Sequence, residues 1–101
     1  MEGQTLYDVV IFGTGPAGLQ AAIHAARAKV RVLVMGRKHK SSLYRAHVEN
    51  YCCLGATSGE SLLLQGMEQA SNSGADFLHE DVIKTAYEGD LFNFLTESDQ
   101  T

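Results

Sequence analysis

Six consecutive residues, Gly13-Thr14-Gly15-Pro16-Ala17-Gly18, carry the spacing of a phosphate-binding turn. They follow the apolar, β-branched run from Asp8 to Phe12 and open an Ala-rich stretch from Pro16 to Ala28. Read as strand, turn and helix, the three glycines have different tasks. Gly13 permits the turn at the strand's end, Gly15 presents no Cβ to an approaching pyrophosphate, and Gly18 lets the helix pack close on the sheet. The attraction for phosphate would come from the unsatisfied N–H groups of the first helical turn and the positive end of the helix dipole, so no basic side chain is required. Pro16 suits the first turn, where its missing N–H costs nothing and its fixed φ is already helical. A Gly-x-Gly-x-x-Gly pattern is weak when it stands alone. With a strand before it, a helix after it and a second strand from Val30 to Met35, it reads as a dinucleotide site.

Such a site ordinarily ends in an Asp or Glu about 20 residues further on, whose carboxylate takes the ribose hydroxyls. Here Val32-Leu-Val-Met-Gly36 runs instead into Arg37, Lys38, His39 and Lys40. That basic tip reads either as a seat for the 2′-phosphate of NADP or as a solvated loop at the outer edge of an adenosine. The residue types leave both readings open.

Other reactive side chains make weaker cases. Cys52 and Cys53 are adjacent, and neighbouring Cα atoms about 3.8 Å apart are poorly placed for a disulfide, which prefers about 5.5 Å. They read as packed or half-exposed thiols. His24, His39, His47 and His79 show no metal-ligand spacing. Of these His47 is the one with a candidate role, because it leads into the segment from Val48 to Tyr51. Ser41 and Ser42 lack a nucleophile-elbow context, so hydrolysis has no support.

The elements that would position these residues follow from pattern. The stretch from Arg37 to Ala56 is irregular and long enough for a functional loop. Thr57-Ser-Gly-Glu60 has the form of a capping box with Thr57 as the cap, opening a helix to about Asn72 whose apolar face is Leu62, Leu63, Met67 and Ala70; Gly74 stops it. Ala75 to His79 reads as a third parallel strand. Val82 to Tyr87 and Leu91 to Thr96 alternate around Glu88-Gly89-Asp90, a hairpin. The expected class is α/β, with no internal repeat and one small domain in 101 residues.

Composition narrows the function classes. A formal net charge of −4 opposes polyanion binding, so nucleic acid is an unsuitable partner. No run approaches the ~20 apolar residues that span a bilayer. The polar Met1-Glu-Gly-Gln-Thr start lacks signal-peptide form, so the expected location is cytoplasmic. Two cysteines fit a reducing compartment better than a disulfide scaffold.

Taken together, the run from Asp8 to Gly36, the segment His47-Val-Glu-Asn-Tyr51, and the stretch from Ser58 to Ser98 resemble the N-terminal part of the low-molecular-weight thioredoxin reductases, a family of flavoprotein pyridine nucleotide-disulfide oxidoreductases. The resemblance spans nearly the whole chain. It implies a Rossmann-like, three-layer FAD-binding fold, a parallel sheet plus a β-hairpin, present here in incomplete form. It implies FAD as the cofactor, its pyrophosphate on Gly13, Thr14, Gly15, Pro16, Ala17 and Gly18, with Met35, Gly36 and Arg37 at the second strand's tip. Asn50, in the Val-Glu-Asn-Tyr segment, would make a polar contact to the cofactor. Two departures mark the flavin side: Lys40, Ser41 and Ser42 stand where the family has Gly-Gly-Gln, and Cys52-Cys53 replaces the usual Pro-Gly. The NADPH domain with its Cys-x-x-Cys pair and the C-terminal return to the FAD domain are absent from these residues. The implied function is electron transfer through flavin between NAD(P)H or another reduced donor and a disulfide-like acceptor, completed by parts outside the 101 residues. The alternative is a non-catalytic module for FAD, ADP or NADP that assembles with a partner chain. Either way the incomplete sheet predicts self-association or a complementary partner.

Overall fold

A computed structural model describes residues 6–37, 41, 43–49, 52 and 55–96. The predicted strand, helix, strand order is present as β1 (Val9–Phe12), α1 (Pro16–Arg27) and β2 (Val32–Met35). Beyond them lie β3 (His47–Val48), β4 (Thr57–Ser58), α2 (Gly59–Asn72), β5 (Asp76–Leu78), β6 (Val82–Glu88) and β7 (Leu91–Thr96).

β1, β2 and β5 form a parallel sheet in the order β1-β2-β5, with Phe12 level with Met35 and Met35 level with Leu78. Alternation along the strands separates two faces. Val9, Ile11, Val32 and Val34 join Ala22 and Ala26 of α1 and Ala70 of α2 in the core. Phe12, on the opposite face of β1, meets Phe94 of β7 edge-on, with ring centroids 5.1 Å apart. The result is the expected three layers: helices, parallel sheet, hairpin. Small residues set the close approach between helices. A Cβ at Gly66 of α2 would come within 2.9 Å of Leu19 Cδ1 on α1.

The far end of the sheet, away from the glycine turn, is tied by polar contacts. The Tyr7 hydroxyl donates to Asp76 Oδ2 at 2.9 Å, and the Arg31 backbone N–H donates to Asp8 Oδ2 at 2.8 Å. The Arg31 guanidinium lies 5.4 Å from the centre of the Tyr7 ring. Partial burial and the Asp76 carboxylate both raise the Tyr7 pKa above its ordinary value.

Two sequence expectations need correction. Thr57 is not the cap of α2: it pairs with Val48 in the β3–β4 ladder, and the Ser58 hydroxyl accepts the Ser61 N–H at 3.1 Å instead. The ladder holds Thr57 extended and moves the helix start one residue on. The stretch from Arg37 to Ala56 is likewise not wholly irregular, since it contributes β3 to that ladder. The hairpin agrees with expectation but is one residue longer in β6, and its loop is only Gly89-Asp90. Both loop residues have positive φ, 59° and 65°, the type I′ geometry whose twist matches paired strands.

Candidate functional site

The glycine turn stands at the C-terminal end of β1, where a doubly wound sheet places its ligand. Gly13 has φ 111°, a conformation that L side chains rarely adopt, and its N–H donates to Met35 O at 2.8 Å. Gly36 lies close over it: a Cβ there would be 3.5 Å from Gly13 Cα. The Gly36 N–H donates to Leu78 O at 3.1 Å, so the ends of all three parallel strands are laced together.

The other two glycines separate cleanly. At Gly18 a Cβ would fall 2.5 Å from Gly13 O and 3.3 Å from Ile11 Cγ2. Glycine is needed there for packing of α1 on β1. At Gly15 the backbone has φ −78° and ψ 179°, open to any residue, and among the described residues a Cβ would meet only Ser41 Oγ at 3.4 Å. Nothing among the described residues requires glycine at that position. Gly15 is also the N-cap of α1 without a side-chain cap, and the first turn holds no acidic residue. The free N–H groups of that turn therefore keep their positive potential.

A cleft of about 590 Å³ opens over the turn. Of the residues anticipated from sequence, Gly13, Thr14, Gly15, Met35, Gly36 and Arg37 line it. Thr14 and Met35 are buried in its floor. Pro16, Ala17 and Gly18 lie just behind, at the start of α1; Pro16 faces a second, apolar hollow of about 320 Å³ between α1 and α2. Asn50 lies outside the described residues, as do Lys38, His39, Lys40, Ser42 and Cys53. His47 does not line the cleft. It is exposed on β3, its Nε2 3.5 Å from a Glu49 carboxylate oxygen. Cys52 is exposed. Among the described residues no group of acidic, His or Cys side chains could hold a metal ion.

Ser41, which the resemblance set on the flavin side, also lines the cleft, and four further residues belong to it that sequence reading did not assign there: Phe12, Glu80, Asp81 and Val82. Phe12 ends β1 and could have been found by its place next to Gly13. Glu80, Asp81 and Val82, at the β5-to-β6 turn, reach the cleft only through tertiary structure, so no local signal marked them.

The fold and this glycine-lined cleft are those of a Rossmann-like α/β protein, and comparison with known proteins narrows the class. Residues 7–99 match the model of the pyridine nucleotide-disulphide oxidoreductases, and the chain belongs to that family. It is 43% identical over 89 residues to a thioredoxin reductase of Mycolicibacterium smegmatis, covering 85% of this chain and 29% of that protein. A thioredoxin reductase of Aquifex aeolicus is 41% identical over 88 residues, 84% of this chain and 27% of the relative. Among solved structures, the thioredoxin reductase of Giardia duodenalis superposes with a TM-score of 0.87 at 32% identity, over 97% of this chain and 32% of that one. The atypical thioredoxin reductase TRi of Desulfovibrio vulgaris Hildenborough gives a TM-score of 0.82 at 30% identity, over 92% and 32%. The chain thus spans less than a third of the length of these relatives. No helix among the described residues is long and apolar enough to cross a membrane.

Proposed function

We propose that these residues are the FAD-binding portion of a thioredoxin reductase-like oxidoreductase, with the FAD pyrophosphate over Gly13 to Gly15 and the N-terminus of α1. The observation that carries the reading is Gly15. Its backbone suits any residue and its Cβ direction is nearly open, so close approach of a ligand is what calls for glycine. The group fits the residues present, since the first turn of α1 offers N–H donors with no competing acid. Met35, Gly36 and Arg37 would flank the adenosine half, and Asn50 would contact the flavin half as in the resembling family.

Bound flavin would supply two-electron transfer, here between NAD(P)H or another reduced donor and a disulfide-like acceptor; the protein's part is to bind and orient it. In the resembling family the donor site and the redox thiol pair lie in other segments; these 101 residues contain no Cys-x-x-Cys. The visible spectrum of the purified chain, reconstituted with FAD, tests the reading. Retention of a yellow chromophore after gel filtration is the expected result. A colourless protein that still binds ADP would instead support a nucleotide-binding module without turnover.

A further inference from the structure

The acid missing from the tip of β2 has a counterpart one strand away. Met35 and Leu78 are paired in register, Arg37 stands two residues past the first, and Glu80 two residues past the second. Adjacent strands are about 4.8 Å apart, so the two tips face the same ligand region. Arg37, Glu80 and Asp81 all line the cleft. The cleft thus has two carboxylates beside the β2 tip, where the sequence along β2 itself offers only Arg37 and the basic residues that follow it.

Resting on the dinucleotide reading of this cleft, we propose that Glu80 and Asp81, carried by the β5-to-β6 turn, are its specificity determinants for the ribose. Their carboxylates accept the adenosine ribose hydroxyls and repel a 2′-phosphate, so the cleft takes unphosphorylated adenine dinucleotides in spite of Arg37. The chemistry is that of the ordinary β2-tip acid, moved to the neighbouring strand. A carboxylate accepts from a hydroxyl in a short, charge-assisted bond, whereas it meets a phosphate dianion as like charge. Arg37 lines the same cleft, where it balances these carboxylates and does not act as a 2′-phosphate seat.

Calorimetric titration of the 101-residue chain with ADP and with 2′-phospho-ADP tests this, in the parent, Glu80→Gln/Asp81→Asn and Arg37→Ala. The parent is expected to bind ADP roughly tenfold tighter or more, the scale of one charge-assisted hydrogen bond. The double substitution brings the ratio close to one, and Arg37→Ala leaves ADP preferred. A preference of the parent for the 2′-phosphorylated ligand, or a ratio unchanged in a double variant that still binds ADP, overturns the proposal and leaves the dinucleotide site standing. Binding of neither ligand by the parent overturns both. The salt dependence of the parent's ratio needs no variant. Like-charge exclusion predicts that the preference shrinks as ionic strength rises, and a salt-independent ratio counts against it.

Discussion

At the scale of single residues, the three glycines of one turn answer to three different constraints. Gly13 is demanded by a backbone angle, Gly18 by an oxygen 2.5 Å from where its Cβ would lie, and Gly15 by neither. Gly18→Val should therefore destabilise the chain by about 3 kcal/mol or more, because the α1–β1 contact has no room to give. Gly15→Val should cost only about 1 kcal/mol, the loss of a good helix N-cap, while abolishing ADP and FAD binding. Thermal melts and calorimetric titration of both variants separate the two effects; FAD bound undiminished by Gly15→Val would remove the turn from the site. The roles of Gly13 and Gly18 were legible in sequence because each follows from a few neighbouring residues. Glu80 and Asp81 were not, since their place beside Arg37 depends on the register between β2 and β5.

At the scale of elements, local signals located most of the fold and failed where tertiary pairing intervened. The apolar runs, the Pro16 helix start, the Gly74 stop and the hairpin were readable from period and turn chemistry. The cap of α2 was misplaced by one residue because Thr57 and Ser58 are equally good caps by type, and the β3–β4 ladder decides between them. The end of α1 is where the sequence works against its own structure. Lys29 follows the C-cap Ala28 with φ 68°, donating its N–H to Ala26 O at 3.0 Å, at a position that usually holds glycine. A side chain in the left-handed region costs about 1 kcal/mol. Lys29→Gly is expected to recover up to about that much and raise the melting temperature by up to about 4–8 °C. An unchanged or lower melting temperature would show that the angle is not a source of strain.

At the scale of the whole molecule, the chain is more extended than its length requires. Its radius of gyration is 14.9 Å, against about 13 Å for a compact domain of 100 residues. The hairpin accounts for part of this, since six of the seven residues of β6 are exposed, as are Tyr87, Leu91 and Phe92. β1 pairs only with β2 among the described strands, and a groove of about 460 Å³ runs between Leu6, Tyr7, Asp8 and Val10 on its side and Asp90, Leu91, Phe92 and Phe94 on the hairpin's. An unpaired parallel edge next to exposed aromatic residues invites association. The chain by itself should sediment as dimers or larger species with rising concentration, and Phe92→Lys should shift it toward monomer; a monomer at every concentration would refute this. The hairpin also has a mechanical character. Its base, at Val82, is part of the cleft wall, whereas its tip at Gly89-Asp90 lies about 20 Å along the strand. A tilt of about ten degrees at the base sweeps the tip through roughly 3 Å over a strand of that length. The hairpin is thus a long arm rooted in the cleft wall, and any small change of angle at Val82 would be magnified several-fold at its far end.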